Sequence, residues 1–567
     1  MYAVVVAMFG KWFNTSGLAA LAFVAVAANG QERQVWLIGG GEPICSSIEP
    51  ESCRTDAKGN AEKYFATRNA VASKHFRYSP AGLKRLAELP EWFGDQAQQQ
   101  ADLHQLQALA APSALKLLTE ASWHQLLKPL ALSEDLLQLY DDVFEIRPSD
   151  RQGKTRNAVV YLEGSEVYVQ QLFREFVAAA AVNPLRKDRL ATPRIVVLTA
   201  SSNNPYEYVD YYLSLFEAAG ADARWLPIEP ALTQLSHCTE LNARRFQTNG
   251  AFDRAARYPE LAAYQKPFCE QPDRLLELID SADGFFINGG DQSLTMRSLQ
   301  EPNGAFTPAG RRLLDRIIAG VPVAGSSAGN AVQAGNATNT IPMISGGQSS
   351  HALQHGALAT EPNAPACALH KTCTNDTDPD QLTYRSSGGL QSFTLGISDT
   401  HFRERNREGR LLRLLLDTHT DFGFGVDEAT VLRAFIQPDG GARLSVLGAG
   451  GVWLVDSRNA TVRHRKDKWG EENWSASGFT ATRMLAGDSA NWRAGLQSVS
   501  LACPPDSVLK PNEMPDPEVY SSDAMAQWQR LPTEVAVSGC QRADGRWRYA
   551  MLPLQLSVKQ QLNVTAP

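Results

Sequence analysis

Short runs of consecutive apolar residues recur along this chain, separated by stretches whose apolar positions return every three or four residues. Val35-Trp36-Leu37-Ile38, Asn157 to Leu162, Ile195 to Thr199, Trp225 to Ile228 and Gly284 to Asn288 read as strands. Helical spacing fills the intervals, over Glu166 to Ala181, along Val209, Tyr212, Leu213 and Phe216, and over Ser293 to Leu299 and Arg311 to Ala319. Strands alternating with helices predict an α/β fold with a mostly parallel sheet covered on both faces. Reactive groups in such sheets gather at the carboxyl ends of the strands.

Two regions depart from this rhythm. From about residue 45 to 152, Leu103, Leu106 and Ala110, then Leu136, Leu139, Tyr140 and Val143, repeat at helical spacing, with Ser133 as an N-cap before Glu134 and Asp135. This predicts a helical insertion without chemistry of its own. From Gln333 to Gln381 the sequence is polar and rich in Gly, Asn, Pro and Thr, and reads as loops. The sheet returns at Phe393 to Ile397, followed by a helix over Leu411 to Leu416 and a short strand ending at Phe424 to Glu428. Beyond about Gly440 short apolar runs with frequent Gly, Asn and Pro predict a small C-terminal β region. The expected division is a leader over 1–28, a main domain over 31–440 and a β-rich region over 441–567.

Composition narrows the class. The 567 residues carry 54 Lys plus Arg against 61 Asp plus Glu, a net charge of −7, and no long basic run outside one arginine cluster. That balance argues against nucleic acid as a partner. Lys11, the apolar stretch from Leu18, and Ala25-Val26-Ala27-Ala28 before polar Asn29 form a secretory signal pattern too short to span a bilayer. The expected address is therefore secreted or periplasmic, with no membrane association after cleavage. The eight cysteines fall into couples close in sequence, and an exported chain is expected to pair Cys45 with Cys53, Cys238 with Cys269, Cys367 with Cys373 and Cys503 with Cys540. None has metal-binding spacing, so no metal and no cofactor is expected.

The candidate chemistry begins at Gly325-Ser326-Ser327-Ala328-Gly329, where an apolar run meets a G-x-S-x-G turn. This is the signature of a nucleophile elbow, with Ser327 attacking and Ser326 packing or hydrogen-bonding; an ordinary Gly/Ser-rich loop carries the same letters. A serine needs a base and a group to orient that base. His401 and Glu428 both follow apparent strands, as Ser327 does, so one edge of one sheet is expected to gather the three. Gly289-Gly290 at another strand end suits a backbone N–H facing a substrate. The glycines 39–41 complete no phosphate-binding pattern. Arg405, Arg407 and Arg410 form a cluster that reads equally as the solvated first turns of a helix.

Gly289-Gly290-Asp291-Gln292, Gly325 to Gly329, Asp399-Thr400-His401-Phe402 with Arg405, Arg407, Gly409 and Arg410, and Gly425-Val426-Asp427-Glu428 together resemble the cyanophycinases, in the family of serine peptidases that includes peptidase E. The resemblance spans about Val35 to Leu432 apart from the insertion. It implies a glutaminase-like three-layer α/β sandwich, a triad of Ser327, His401 and Glu428, and an oxyanion hole at the Gly290 and Ala328 N–H groups. It implies substrate contacts from Gln292, Asp399, Arg405, Arg407 and Arg410, and cyanophycin, a poly-aspartate carrying arginines, as substrate. It also leaves room for a homodimer. Free carboxylates suit the guanidinium fork. Thr400, Asn330 and Arg403 depart from the family's pattern and bear on substrate identity. The readings in play are a secreted hydrolase releasing β-Asp-Arg dipeptides, a peptidase E-like aspartyl dipeptidase, and a non-catalytic binding protein on the same fold.

Overall fold

The computed structural model describes residues 31–559 apart from 72–73, 90–95, 112–115, 150–151, 153–154, 236, 302, 467–471 and 514–525. The leader expected over 1–28 lies outside the described residues. Among these, no helix is long and apolar enough to cross a membrane.

Two large sheets organise the chain. The first has nine strands, and its central strand is Arg33–Ile38. On one side of it Val323–Ser326, Gly284–Ile287, Arg194–Leu198 and Asp222–Leu226 follow in parallel. On the other side Thr430–Ile436, Gly441–Gly448, Ser489–Arg493 and Leu496–Ser500 are all antiparallel to their neighbours. The sheet is thus half parallel and half antiparallel rather than mostly parallel. The reason is local: Thr430–Ile436 and Gly441–Gly448 form a hairpin around Asp439 and Gly440, and hairpins pair antiparallel. Position 440, where the texture of the sequence changes, is the turn of that hairpin.

The alternation within Arg33–Ile38 divides two cores. Val35 and Leu37 face a layer containing Ile279, Leu313 and Ile317 from helices, together with Phe424, Val452 and Leu454 from the second sheet. Trp36 and Ile38 face Phe173 and Phe176 of helix Val167–Ala181 and Leu215 and Phe216 of helix Val209–Ala218. The second sheet contains eight strands and begins Ile397–Asp399, Phe422–Val426, Gly451–Asp456, Glu472–Leu485. Helix Glu408–Thr418 covers it with Leu411, Leu412 and Leu415.

The insertion is helical as its periodicity predicts, with Ser133 Oγ accepting the Leu136 N–H at the cap. Its core of Phe76, Trp123, Tyr140 and Phe144 also takes in Phe246, Ala366 and Leu369 from the main body. Two other expectations fail. Residues 157–161 form only an isolated bridge at Val160, because their backbone groups pair with the segment around Ser46 and Ser47 instead of a sheet neighbour. The stretch 333–381 is not all loop: its Met343–Gly346 and Ala357–Leu358 join Leu382–Arg385, just beyond it, in a small three-stranded sheet, with helix Ser349–His355 against it. All four cysteine couples are disulfide-bonded as expected from sequence proximity.

Candidate active site

Ser327 stands at the carboxyl end of Val323–Ser326 with φ 52° and ψ −116°, a conformation that non-glycine residues rarely adopt. The strain is held by close backbone packing. A Cβ at Gly325 would collide with the Gly329 carbonyl, and one at Gly329 with the Ile287 carbonyl, so both glycines of the G-x-S-x-G turn are required sterically. Ser327 N–H donates to Ile38 O at 3.1 Å, which fixes the elbow over the central strand. Asn330 adds to this by donating from Nδ2 to Ile38 O at 3.1 Å and accepting from Ser398 Oγ at 2.5 Å.

His401 and Glu428 arrive from the second sheet. They follow Ile397–Asp399 and Phe422–Val426, which lie side by side and parallel. The expectation of one edge of one sheet is therefore wrong; the three side chains meet where the two sheets face each other. Glu428 lies in the turn through which the chain leaves Phe422–Val426 of the second sheet and enters Thr430–Ile436 of the first. The Ser327 Oγ to His401 Nε2 distance is 2.7 Å and the His401 Nδ1 to Glu428 Oε1 distance is 2.6 Å. With Glu428 ionised, Nδ1 carries the imidazole proton, so Nε2 is left to accept from the serine O–H. Burial holds the His401 pKa below its ordinary value, and Arg405 and Arg407 push the same way against the hydrogen bond that His401 donates to Glu428.

The glycine turn after the first strand supplies the space for this pair. A Cβ at Gly40 would enter the His401 ring, and a Cβ at Gly41 would lie 2.7 Å from Glu428 Oε2. His401 N–H donates to Gly39 O at 2.8 Å. Beside Glu428, the buried Asp427 accepts from Gly451 N–H at 2.9 Å and from Arg483 Nη1 at 3.2 Å, which binds the Glu428 turn to strand Glu472–Leu485.

Gly290 has φ 135° and leaves no room for a Cβ against Ser201 O. Gly289 packs beside the serine, an ideal Cβ there lying 3.3 Å from Ser327 Cβ. Among the described residues the N–H groups of Gly290 and Ala328 donate to no protein acceptor. Gln292 is committed elsewhere: its Nε2 donates to Ile344 O at 2.9 Å and Ser345 O at 2.8 Å, positioning the small sheet.

The arginine cluster separates into different environments. Arg410 and Asp399 are both buried and grip each other through Nε to Oδ2 at 2.8 Å and Nη2 to Oδ1 at 2.6 Å, while Arg410 Nη1 donates to Gly347 O at 2.5 Å. Burial pushes the Asp399 carboxyl up, but Arg410 and then Arg407 more than offset it, so its pKa lies below the ordinary value. The expected substrate contacts from Asp399 and Arg410 are corrected on this ground, since their polar atoms are taken inside the protein. Arg407 is partly buried and donates to Thr400 O at 2.8 Å. Arg405 is exposed and has no side-chain partner among the described residues.

Two residues that the sequence reading passed over shape the site. Asp427 carried no signal distinguishing it from the adjacent Glu428. Glu42 closes the glycine turn, which in sequence completes no phosphate-binding pattern; a carboxylate at the end of the glycine run that follows the central strand is the available clue.

No protein-family model matches the chain. Among curated proteins, it is 24% identical over 310 residues to a cyanophycinase of Trichormus variabilis and to one of Nostoc sp., an alignment covering 54% of this chain and 76% of each relative. It is 29% identical over 183 residues to a cyanophycinase of Geminocystis herdmanii, covering 32% of this chain and 52% of that protein. Among solved structures, a peptidase from an acI-B1 Actinobacterium overlaps 58% of this chain and 94% of its own at 15% identity and a TM-score of 0.30, a likeness too slight to define the fold.

Proposed function

From this distant kinship with the cyanophycinases, we propose that the chain is a serine-type peptidase in which Ser327 is the nucleophile, His401 the general base and Glu428 the group that orients it. The observation that carries the reading is the continuous hydrogen-bonded chain Ser327–His401–Glu428, at 2.7 and 2.6 Å, with Ser327 held in a strained elbow. Ser327 Oγ attacks the scissile carbonyl carbon while His401 Nε2 takes the hydroxyl proton. The carbonyl oxygen becomes an anion received by the free N–H groups of Gly290 and Ala328. Collapse breaks the C–N bond, His401 returns the proton to the leaving nitrogen, and an acyl-serine remains. Water repeats the sequence, with His401 taking its proton, and releases the acid and the serine.

The substrate we infer is cyanophycin or a related aspartyl or β-aspartyl peptide, cut to β-Asp-Arg dipeptides. The relatives' name supports this, and so does Arg405, an unpaired cation next to the histidine and suited to a substrate carboxylate. We read the fold as a glutaminase-like sandwich extended by an antiparallel half-sheet. The four disulfides and the N-terminal signal pattern support an exported protein whose mature chain begins near Ala28.

The test is labelling by a serine-directed phosphonate together with product analysis on insoluble cyanophycin. The expected result is one modified residue, Ser327, and soluble β-Asp-Arg. Loss of both in Ser327→Ala is required; residual turnover of the polymer by that variant at the parent rate overturns the mechanism. Release of products only from short Asp-X peptides favours a dipeptidase instead.

A further inference from the structure

Glu42 takes no part in the acyl-transfer steps, yet it sits beside them. Its carboxylate accepts from Ser326 Oγ at 2.9 and 3.1 Å, and Ser326 immediately precedes the nucleophile. It also accepts from Gly40 N–H at 3.1 Å, within the turn whose glycines touch His401 and Glu428. Ser326 O and Ser327 in turn pack against Gly289, an ideal Cβ there lying 3.6 Å from Ser326 O and 3.3 Å from Ser327 Cβ. Glu42 thus belongs to the shell around the reacting serine.

What Glu42 lacks is a counter-charge. Its hydrogen-bond donors are neutral, and among the described residues no lysine, arginine or histidine forms an ion pair with it. Burial pushes its carboxyl up to about 7, Glu428 adds to this, and the bonds from Ser326 and Gly40 only partly offset it. An ionised carboxylate withdrawn from water without a cation is costly, and proteins generally pair such groups. Several buried carboxylates of this chain do have that cation: Glu229 is paired with Arg245, Asp427 with Arg483 and Asp488 with Arg548. Glu42 remains partly exposed, so the missing cation can come from solution.

We propose that Glu42 is a specificity-determining carboxylate that receives a cationic group of the substrate, a guanidinium or an ammonium, beside the scissile bond. This rests on the peptidase reading and deepens it. Ser326 Oγ and Gly40 N–H aim the carboxylate, and a guanidinium or ammonium would supply the charge-assisted hydrogen bonds it lacks. With Arg405 on the histidine side taking a carboxylate, the site offers one anion and one cation across the serine. A zwitterionic aspartyl peptide bearing a basic side chain or a free amine satisfies both.

The test separates recognition from turnover. Ser327→Ala protein is titrated calorimetrically with β-Asp-Arg, with the citrulline counterpart of the same shape and no charge, and with N-acetylated β-Asp-Arg. If the guanidinium is the recognised group, the citrulline ligand binds at least about ten-fold more weakly and acetylation is tolerated; if it is the ammonium, the pattern is inverted. Either pattern, collapsing to within about two-fold when Glu42→Gln is added, supports the proposal. Glu42→Asp, which retains the charge, is expected to keep the preference and covers the case of a misfolded glutamine variant. Equal binding of all three ligands, no binding of any, or undiminished preference in Glu42→Gln overturns it. Phosphonate labelling of the parent protein is read independently. A protein that labels at Ser327 without discriminating between the ligands loses the role of Glu42 and keeps the peptidase; one that discriminates without labelling loses the nucleophile.

Discussion

Ser327, His401 and Glu428 set the residue-scale expectations. In the proposed mechanism His401 takes a proton only when neutral, and burial holds its pKa below the ordinary value near 6.5. The kcat/KM of the parent should therefore rise with pH through a midpoint under 6.5 and be level at neutrality. Arg405 contributes to that depression, so Arg405→Gln is expected to move the midpoint upward while lowering kcat/KM for an acidic peptide by about ten-fold or more. A pH–rate series on the two proteins checks both, and an unmoved midpoint would place Arg405 out of electrostatic reach of the base. Arg410 carries the opposite expectation although it lies only five positions further on. Removing it strands Asp399 in the interior, so Arg410→Gln should destabilise the fold by about 3–5 kcal/mol in urea unfolding. Arg405→Gln, an exposed change, should stay within about 0.5 kcal/mol. The sequence shows Arg403, Arg405, Arg407 and Arg410 on a helix approach and no means of telling which one faces inward. The Asp399–Arg410 pair joins a strand end to the first turn of a helix, a contact that no local periodicity encodes.

At the scale of elements, continuous apolar runs identified the buried parallel strands because burial on both faces removes polar residues from them altogether. The serine turn was legible because its glycines have a steric task that other residues cannot perform. Sheet membership was hidden. Phe422–Val426 and Thr430–Ile436 are separated by a few residues and look like consecutive strands of one sheet, yet the turn at Asp427 and Glu428 carries the chain from one sheet into the other. Asp427 ties that turn down through Gly451 N–H and the Arg483 ion pair, partners that lie further along the sequence. Asp427→Asn keeps the shape and removes the carboxylate that the buried Arg483 faces. The expected outcome is a stability loss of about 3 kcal/mol or more in urea unfolding, with a fall in kcat from the loosened Glu428. Unchanged stability would mean that Arg483 is satisfied by other partners.

For the whole molecule, the question is whether the residues beyond 440 form an accessory region or part of the catalytic unit. They complete the antiparallel half of the first sheet, and Val452, Leu454, Met484 and Trp492 fill the layer against Phe422, Phe424 and Val426, the strand that delivers Glu428. Truncation after 440 would expose that strand, open the edge of Thr430–Ile436 and remove Arg483 from Asp427. Each loss falls on the Glu428 side of the site, while the Ser327 elbow, built from the parallel half, keeps its own contacts. A chain ending at 440 is therefore expected to lose phosphonate labelling, because a serine without an oriented base is a weak nucleophile, and to expose apolar sheet surface that binds a hydrophobic dye. The Cys503–Cys540 bond spans 37 positions within the same region. By loop entropy its removal should cost about 4 kcal/mol, against about 2 for the short Cys367–Cys373 loop. If the β-rich region is integral to the enzyme, the double serine variant at 503 and 540 unfolds in one transition with the loss of labelling, at a lower urea midpoint than the parent. Labelling that persists through a separate, earlier transition would show that the C-terminal strands melt independently, and the catalytic unit would then end near residue 440.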